Sequence, residues 1–249
     1  MHCFLSLDSR HYKLDFSLPI DISMPMHSGS ARAWYMPPLD ISPVRMKGFA
    51  GDVQSGGSVN FRNIFFNPHA HGTHTECVGH ITPKIHSVSL HVQQFMHPSL
   101  LVTVQPVYVD GDRIITADAI PDAGQMQGAT SLIIRTTPNT PEKLHFEYSN
   151  SNPPYIAADA MQKIVDNGVL HLLIDLPSVD RESDGGALQA HHVFWGWPNN
   201  PRMECSITEL VYIPDAVTDG LYLLNLSFPA FENDASPSRA ILYALTAAD

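Results

Sequence analysis

The sequence is poor in positive charge. Fourteen Lys and Arg stand against 25 Asp and Glu, a formal net charge of -11. A surface built for nucleic acid or anionic lipid needs clustered Lys and Arg, so neither partner is expected. Long apolar runs are missing too. None approaches the ~18 residues of a membrane span, and the opening Met1-His2-Cys3-Phe4-Leu5-Ser6-Leu7-Asp8 is too short and too soon charged for a signal peptide. Cysteine is scarce. Cys3, Cys77 and Cys205 are an odd number and form no C-x-x-C pair, which fits a reducing compartment without a disulfide framework. Cytoplasm is therefore the expected location. There is no internal repeat, no low-complexity segment, no G-x-S-x-G elbow, no P-loop, no G-x-G-x-x-G and no H-E-x-x-H.

What remains is the composition of a globular protein: 249 residues, 44% hydrophobic and 16% charged. That length buries a full core, and no linker-like shift divides it, so residues 1–249 are expected to form one domain. Tyr12 to Ser23 reads as extended. Pro25 to Gly57 is a long Pro-, Gly- and Met-rich loop carrying Trp34, which is either a core anchor or a wall of a substrate pocket. Val59 to Phe66, Leu100 to Val109 and Ser131 to Arg135 read as strands. Tyr155 to Asn167 has helical spacing with a stop at Asn167-Gly168, and Val169 to Ile174 is an apolar run typical of a strand covered on both faces. Strand, helix, strand predicts a parallel βαβ crossover whose second strand ends at Asp175. Ser206 to Ile213 and Leu221 to Phe228 read as a further strand pair, and Ile241 to Leu245 could close the sheet.

The chemistry is concentrated in His69-Ala70-His71-Gly72-Thr73-His74-Thr75-Glu76-Cys77-Val78-Gly79-His80. Four histidines and one carboxylate fall within twelve residues. Neutral imidazole plus carboxylate is the usual ligand set for zinc and its first-row neighbours. His69, His71 and His74 could converge on one ion if the backbone turns at Gly72. His74 and Glu76 are two apart, so on an extended segment they share a face. A carboxylate there can bridge two ions ~3.5–4 Å apart. A second half is expected from His191-His192 and from Glu209, a charge inside the apolar run Ile207-Thr208-Glu209-Leu210. A buried Glu is costly unless ionised against a strong partner. The alternative for Glu209 is an edge strand with its carboxylate in water. His86, His91 and His97 are expected at the surface or behind the site. His171 reads as a core histidine satisfied by backbone.

The stretch Gly72-Thr73-His74-Thr75-Glu76-Cys77-Val78-Gly79-His80 resembles the G-T-H-x-D-x-P-x-H signature of the cyclase-like metal hydrolases, the family of bacterial kynurenine formamidase and isatin hydrolase. Asp21-Ile22-Ser23 before the Trp-bearing loop, Asp175-Leu176-Pro177-Ser178-Val179-Asp180, and His191 followed by Glu209-Leu210 are similar to further family segments in the same order. The resemblance implies an α/β fold: a mixed, barrel-like β-sheet core with flanking helices, of the swivelling β/β/α kind. It implies His74 as a ligand of a first metal, Glu76 in place of a bridging Asp, His80 as proton donor and acceptor, His191 (or His192) on a second metal, and Glu209 on it or bridging both. Three departures stand out. The family's first His falls where this chain has Ala70, so His69 or His71 must take over. His69 is preferred, which leaves His71 and His192 near the substrate. Glu76 is one methylene longer than Asp. Val78 replaces Pro.

The function expected on this basis is hydrolysis of an amide, formamide or lactam. One or two divalent ions per subunit, Zn²⁺ or Mn²⁺, would activate water and polarise the carbonyl. His80 would carry the proton to the leaving nitrogen, and Trp34, Trp195 and Trp197 would stack on a flat substrate ring. Two other outcomes are open: a metal- or ligand-binding protein without turnover, or a cyclase or dehydratase on the same site. A small-molecule substrate and a homodimer or homotetramer are the expected partners, the latter through the family resemblance.

Overall fold

A computed structural model describes residues 1–7 and 9–248; Asp8 of the opening segment lies outside them. Its centre is a curled, half-barrel sheet of nine strands. In chain order these are β1 (Ile20–Asp21), β2 (His74–Glu76), β3 (Met96–Val104), β4 (Ser131–Thr136), β5 (His171–Ile174), β6 (Ser206–Glu209), β7 (Gly220–Ser227), β8 (Ala235–Pro237) and β9 (Arg239–Ala244). Across the sheet they run β8-β2-β6-β5-β4-β3-β7-β9-β1. β3, β4, β5 and β6 are mutually parallel, and β2 and β7 join that block antiparallel on either side.

The expected βαβ crossover is present. β4 leads through the Ala158–Asp166 helix to β5, which pairs parallel with it, Leu132 opposite Leu172. Alternation then sorts the side chains. Leu132, Ile134, Leu172, Ile174 and Ile207 pack on one face against Ile164, Phe194 and Trp195 of the helices. Ile133, Leu173 and Leu101 face the inside of the curl with Leu224, Leu226 and Leu242. Both faces are covered, which is why these strands read as almost unbroken apolar runs. Each such fully buried aliphatic side chain contributes about 1.5–3 kcal/mol relative to exposure.

Four expectations change. Ser206–Glu209 and Gly220–Ser227 do not pair with each other. The first lies between β5 and β2 and the second between β3 and β9. The connection between them crosses an end of the sheet, where the buried Arg135 donates from Nη1 to Pro214 O at 2.9 Å and Val217 O at 2.7 Å. β9 does not end the sheet, because β1 pairs beyond it. The strand after residue 59 is only Arg62–Phe65. It pairs with Asp40–Pro43 outside the main sheet, with all four of its side chains exposed. His171 is buried as expected, but its Nδ1 meets Ser206 Oγ at 2.9 Å and its ring lies 4.0 Å from that of His97, which is itself buried.

β5 runs into a buried carboxylate. Asp175 accepts from the Thr136 amide at 2.9 Å and from Lys143 Nζ at 2.8 Å. Burial still pushes its carboxyl up, against the opposing pull of Lys143. This pair anchors the start of the loop that leads to Asp180. Lys143→Met should strand the Asp175 carboxylate and lower stability by about 3 kcal/mol, read as a fall in the urea midpoint. An unchanged midpoint would show that Asp175 does not depend on the ammonium.

Candidate metal centre

β2 carries the first half of the site. It is flanked by β6 and β8, so neither His74 nor Glu76 reaches solvent, and Glu76 is 0% exposed. Their spacing of two puts both side chains on one face, and the register sets Glu209 of β6 opposite His74. His74 Nε2 and Glu209 Oε2 are 3.3 Å apart. Glu209 is therefore interior, not an edge-strand residue in water. His74 Nδ1 must carry the ring hydrogen, because it lies 3.1 Å from Gly72 O, which can only accept. That leaves Nε2 bare and aimed at the cluster. Gly72 has φ +69, a conformation in which a side chain would also press on Met26.

The second half arrives on the Gln189–Trp195 helix. His191 Nε2 is 3.0 Å from Glu76 Oε1 and 3.8 Å from Glu209 Oε1. Its other nitrogen, Nδ1, is 2.6 Å from Asp180 Oδ2. Asp180 also accepts from the amides of Ala190 and His191 at 2.7 and 3.1 Å, so one carboxylate fixes both the start of the helix and the imidazole. His69 sits across Glu76, with Nδ1 3.0 Å from Glu76 Oε2 and Nε2 2.9 Å from Asp234 Oδ2. His80 lies at the side of the cluster, Nδ1 3.4 Å from Asp234 Oδ2 and 3.7 Å from Glu76 Oε2.

The electrostatics are those of a cation site. Burial favours the neutral form of Glu76, yet His80, His191 and His69 hold its carboxyl well below the usual range. Burial likewise opposes charge on His69, but Asp234 and Glu76 push it up to about 10. His191 is pushed up to about 10 against burial by Asp180 and Glu76. Asp234 is held low, against burial, by His69 and His80. With protein groups alone, protons on two rings supply the positive charge the carboxylates need. A divalent cation would supply it while the imidazoles stay neutral donors. Two buried polar atoms, His74 Nε2 and Glu76 Oε2, have no hydrogen-bond partner among the described residues, and both face the cluster. His69, His74 and Glu76 offer ligand atoms all within 4.8 Å of one another, as do Glu76, His80 and His191. The residues present fit a metal ion.

Of the residues singled out in the sequence, His69, His74, Glu76, His80, His191 and Glu209 come together. Trp34 lines the pocket of about 310 Å³ above them, and its indole donates to His69 O at 3.1 Å. It also packs against a small cluster with Met24 and Tyr148, so it serves as anchor and wall at once. His71 and His192 do not line this pocket. His71 is 4% exposed, accepts the Asn67 amide on Nδ1 at 2.9 Å and donates from Nε2 to Pro37 O at 2.8 Å, so both nitrogens are spent on backbone. His192 is turned away from His191 by one helical step, and its Nδ1 meets Trp197 O at 3.1 Å. Trp195 is core, its indole donating to Cys205 O at 3.1 Å. Neither Trp195 nor Trp197 lines the pocket. Sequence reasoning gave no role to Asp180, although the motif around it was visible, and missed Asp234, for which no local spacing gives a signal.

A pocket floored by imidazoles and carboxylates, at the carboxyl end of parallel strands, is the arrangement of a metal-dependent enzyme. The Cyclase family model matches residues 16–181, and the chain belongs to the cyclase family. It is 27% identical to the kynurenine formamidase of Bacillus cereus over 225 residues, 90% of this chain and 96% of that one. Two solved structures share the fold: a potential metal-dependent hydrolase with cyclase activity, at TM-score 0.65 and 18% identity over 91% of this chain and 98% of its own, and an isatin hydrolase bound to the product analogue thioisatinate, at TM-score 0.65 and 16% identity over 92% of each chain.

Zn²⁺ or Mn²⁺ at 100 times its Kd should raise the unfolding free energy by about 2.7 kcal/mol, and Glu76→Gln should remove most of that gain. Thermal melts with each metal and with chelator read it. Identical melts would mean that the cluster binds no ion.

Proposed function

We propose that the protein is a metal-dependent hydrolase that cleaves the C–N bond of an amide, formamide or lactam, arylformamidase-like in its substrates. The observation that carries this reading is the convergence of His69, His74, Glu76, His191 and Glu209 beneath one pocket, with His80 beside them. Membership of the cyclase family and the likeness to a kynurenine formamidase and an isatin hydrolase support the bond type.

Those five residues would hold one or two divalent ions, which would supply Lewis acidity at the scissile carbonyl and acidify water. The donors are imidazole nitrogens and carboxylate oxygens, while the Cys77 thiol points away to His86 O at 3.4 Å, a set that supports Zn²⁺ or Mn²⁺. Glu76 turns one oxygen to His69 and the other to His191, which supports two ions over one. His80 moves the proton. Its Nδ1 faces carboxylates, so Nε2 takes the proton from the attacking water and returns it to the leaving nitrogen. The ring is 29% exposed and lines the pocket, within reach of a substrate. Trp34, Met36 and Leu188 form apolar walls suited to a flat ring, with Arg181 among the polar groups of the lining. A purely structural metal site is closed by its ligands. Here His69, His80, His191 and Glu209 open onto the pocket, which favours turnover over binding alone.

The exposed Ile41, Phe61, Ile64 and Phe65 gather on or beside the strand pair outside the sheet and support a homodimer or homotetramer. The free Cys3, Cys77 and Cys205 support a cytoplasmic setting. No helix among the described residues is long and apolar enough to cross a membrane.

His80→Ala should lower kcat on aryl formamides and lactams by about 10²–10⁴-fold while metal content, read by atomic emission, stays at the wild-type value. Metal lost together with activity would make His80 a ligand and overturn its assignment. In sedimentation velocity the protein should run as a dimer or tetramer, and Phe65→Glu should shift it toward monomer. A monomeric wild type removes the assembly.

A further inference from the structure

We propose that Asp234 is a positioning residue for a metal ligand: its carboxylate holds the His69 ring so that Nδ1 faces the centre. This rests on the metal-binding reading above. The two nitrogens of an imidazole lie on different edges of the ring, and here each is addressed by a different carboxylate. Asp234 Oδ2 is 2.9 Å from Nε2, and Glu76 Oε2 is 3.0 Å from Nδ1. The opposite flank of Glu76 has the same construction, with Asp180 behind Nδ1 of His191 at 2.6 Å and Nε2 of that ring toward Glu76 Oε1 at 3.0 Å. Two carboxylate–imidazole pairs therefore face one buried carboxylate from two sides, with opposite ring nitrogens presented. A carboxylate behind a ligating imidazole fixes its tautomer and orientation and makes it a stronger donor.

The main chain places Asp234 for this task. β8 pairs with β2, Ala235 opposite Glu76, and the Cys77 amide donates to Asp234 O at 3.0 Å. Any side chain at position 79 would collide with His86 O at 2.4 Å and crowd Asp234 Cβ at 3.1 Å, so Gly79 is what lets the two segments close. His69 needs the support because it lies on a loop and not on a strand. Its amide donates to Asn67 Oδ1 at 2.9 Å and its carbonyl accepts from Trp34, contacts that fix the backbone but leave the ring to Asp234 and Glu76. Asp234 also groups with His69 and His80, their ligand atoms all within 4.8 Å of one another, while Glu76 meets His69 at the other ring nitrogen. The second contact of Asp234, His80 Nδ1 at 3.4 Å, is longer.

The test is a double-mutant cycle on metal affinity, which needs no substrate. Kd for Zn²⁺ and for Mn²⁺ is measured by competition with a chromophoric chelator for wild type, Asp234→Asn, His69→Ala and the double variant. Asn keeps the main-chain bonds of residue 234, and circular dichroism in chelator checks each fold; His69→Gln replaces His69→Ala should the latter not fold. Asp234→Asn should weaken binding about 10–100-fold, and His69→Ala at least as much. The double variant should bind no more than about twofold more weakly than His69→Ala, because Asp234 acts through that ring. Multiplying effects would make Asp234 an independent ligand or a mere charge, and wild-type affinity in Asp234→Asn would give it no part; either overturns the proposal. A wild type that binds neither ion overturns it together with the metal reading. A non-additive cycle in a protein that turns over no amide or formamide sustains it while the hydrolase reading falls.

Discussion

A carboxylate on the second strand from the edge of the sheet, wholly shielded from water, dictates what surrounds it. Withdrawing an ion from water costs several kcal/mol even after relaxation. Glu76 meets that cost with nitrogen atoms of His69, His80 and His191 within 4 Å. Each imidazole must in turn be held. Gly72 O fixes His74, Asp180 fixes His191 and Asp234 meets His69. Together these are a high-stakes polar network, one in which a single unmatched group would be expensive. The two atoms that stay unmatched, His74 Nε2 and Glu76 Oε2, point at the common centre.

The apolar sheet gives that network its rigidity. β4 and β5 are buried on both faces, so the loops leaving their carboxyl ends start from fixed points. Asp175 ties the second of these loops to Thr136 and Lys143, and five residues later Asp180 meets the helix that carries His191. Buried groups at strand ends thus set the position of a ring whose own element is one short helix. Sites built on such supports hold their geometry to a fraction of an ångström, which polarising a carbonyl demands. Trp34 adds a tie from the long N-terminal loop. It and Tyr35 both adopt φ +58, a conformation unfavourable for bulky residues that the hydrogen bonds of the Trp34 indole and the Tyr35 amide help to hold.

The parts of this arrangement legible in the sequence were those encoded by short spacing. His74 and Glu76 share a face because strands have a period of two, and Glu209 betrayed itself as a charge in an apolar run. The parallel crossover from β4 to β5 was legible for the same reason: apolar runs and a helical period sit next to each other in the chain. What depends on long-range register was not. Asp234 lies 165 residues from His69, and only the pairing of β8 with β2 brings them together. The wrong pairing expected for β6 and β7 has the same origin, since adjacency in sequence suggested a hairpin where the sheet inserts three strands between them. That His71 and His192 bond to backbone was not legible either, because composition cannot tell a histidine bonded to backbone from one free to meet a ligand.

The departures from the family signature are physically linked. Ala70 stands where the signature has its first histidine, and here that position is fully buried, its carbonyl taken by the Ala33 amide at 3.0 Å. An imidazole there would have to displace core. His69 supplies the ring from one residue earlier and presents Nδ1, the nitrogen nearer its own backbone. Glu76 is one methylene longer than the signature's Asp, so its carboxylate reaches about 1.5 Å further from β2. The longer carboxylate on the strand and the ring from the loop meet each other, His69 Nδ1 lying 3.0 Å from Glu76 Oε2. The two departures are best understood together, as a ring and a carboxylate that reach one another where Ala70 leaves no room for an imidazole.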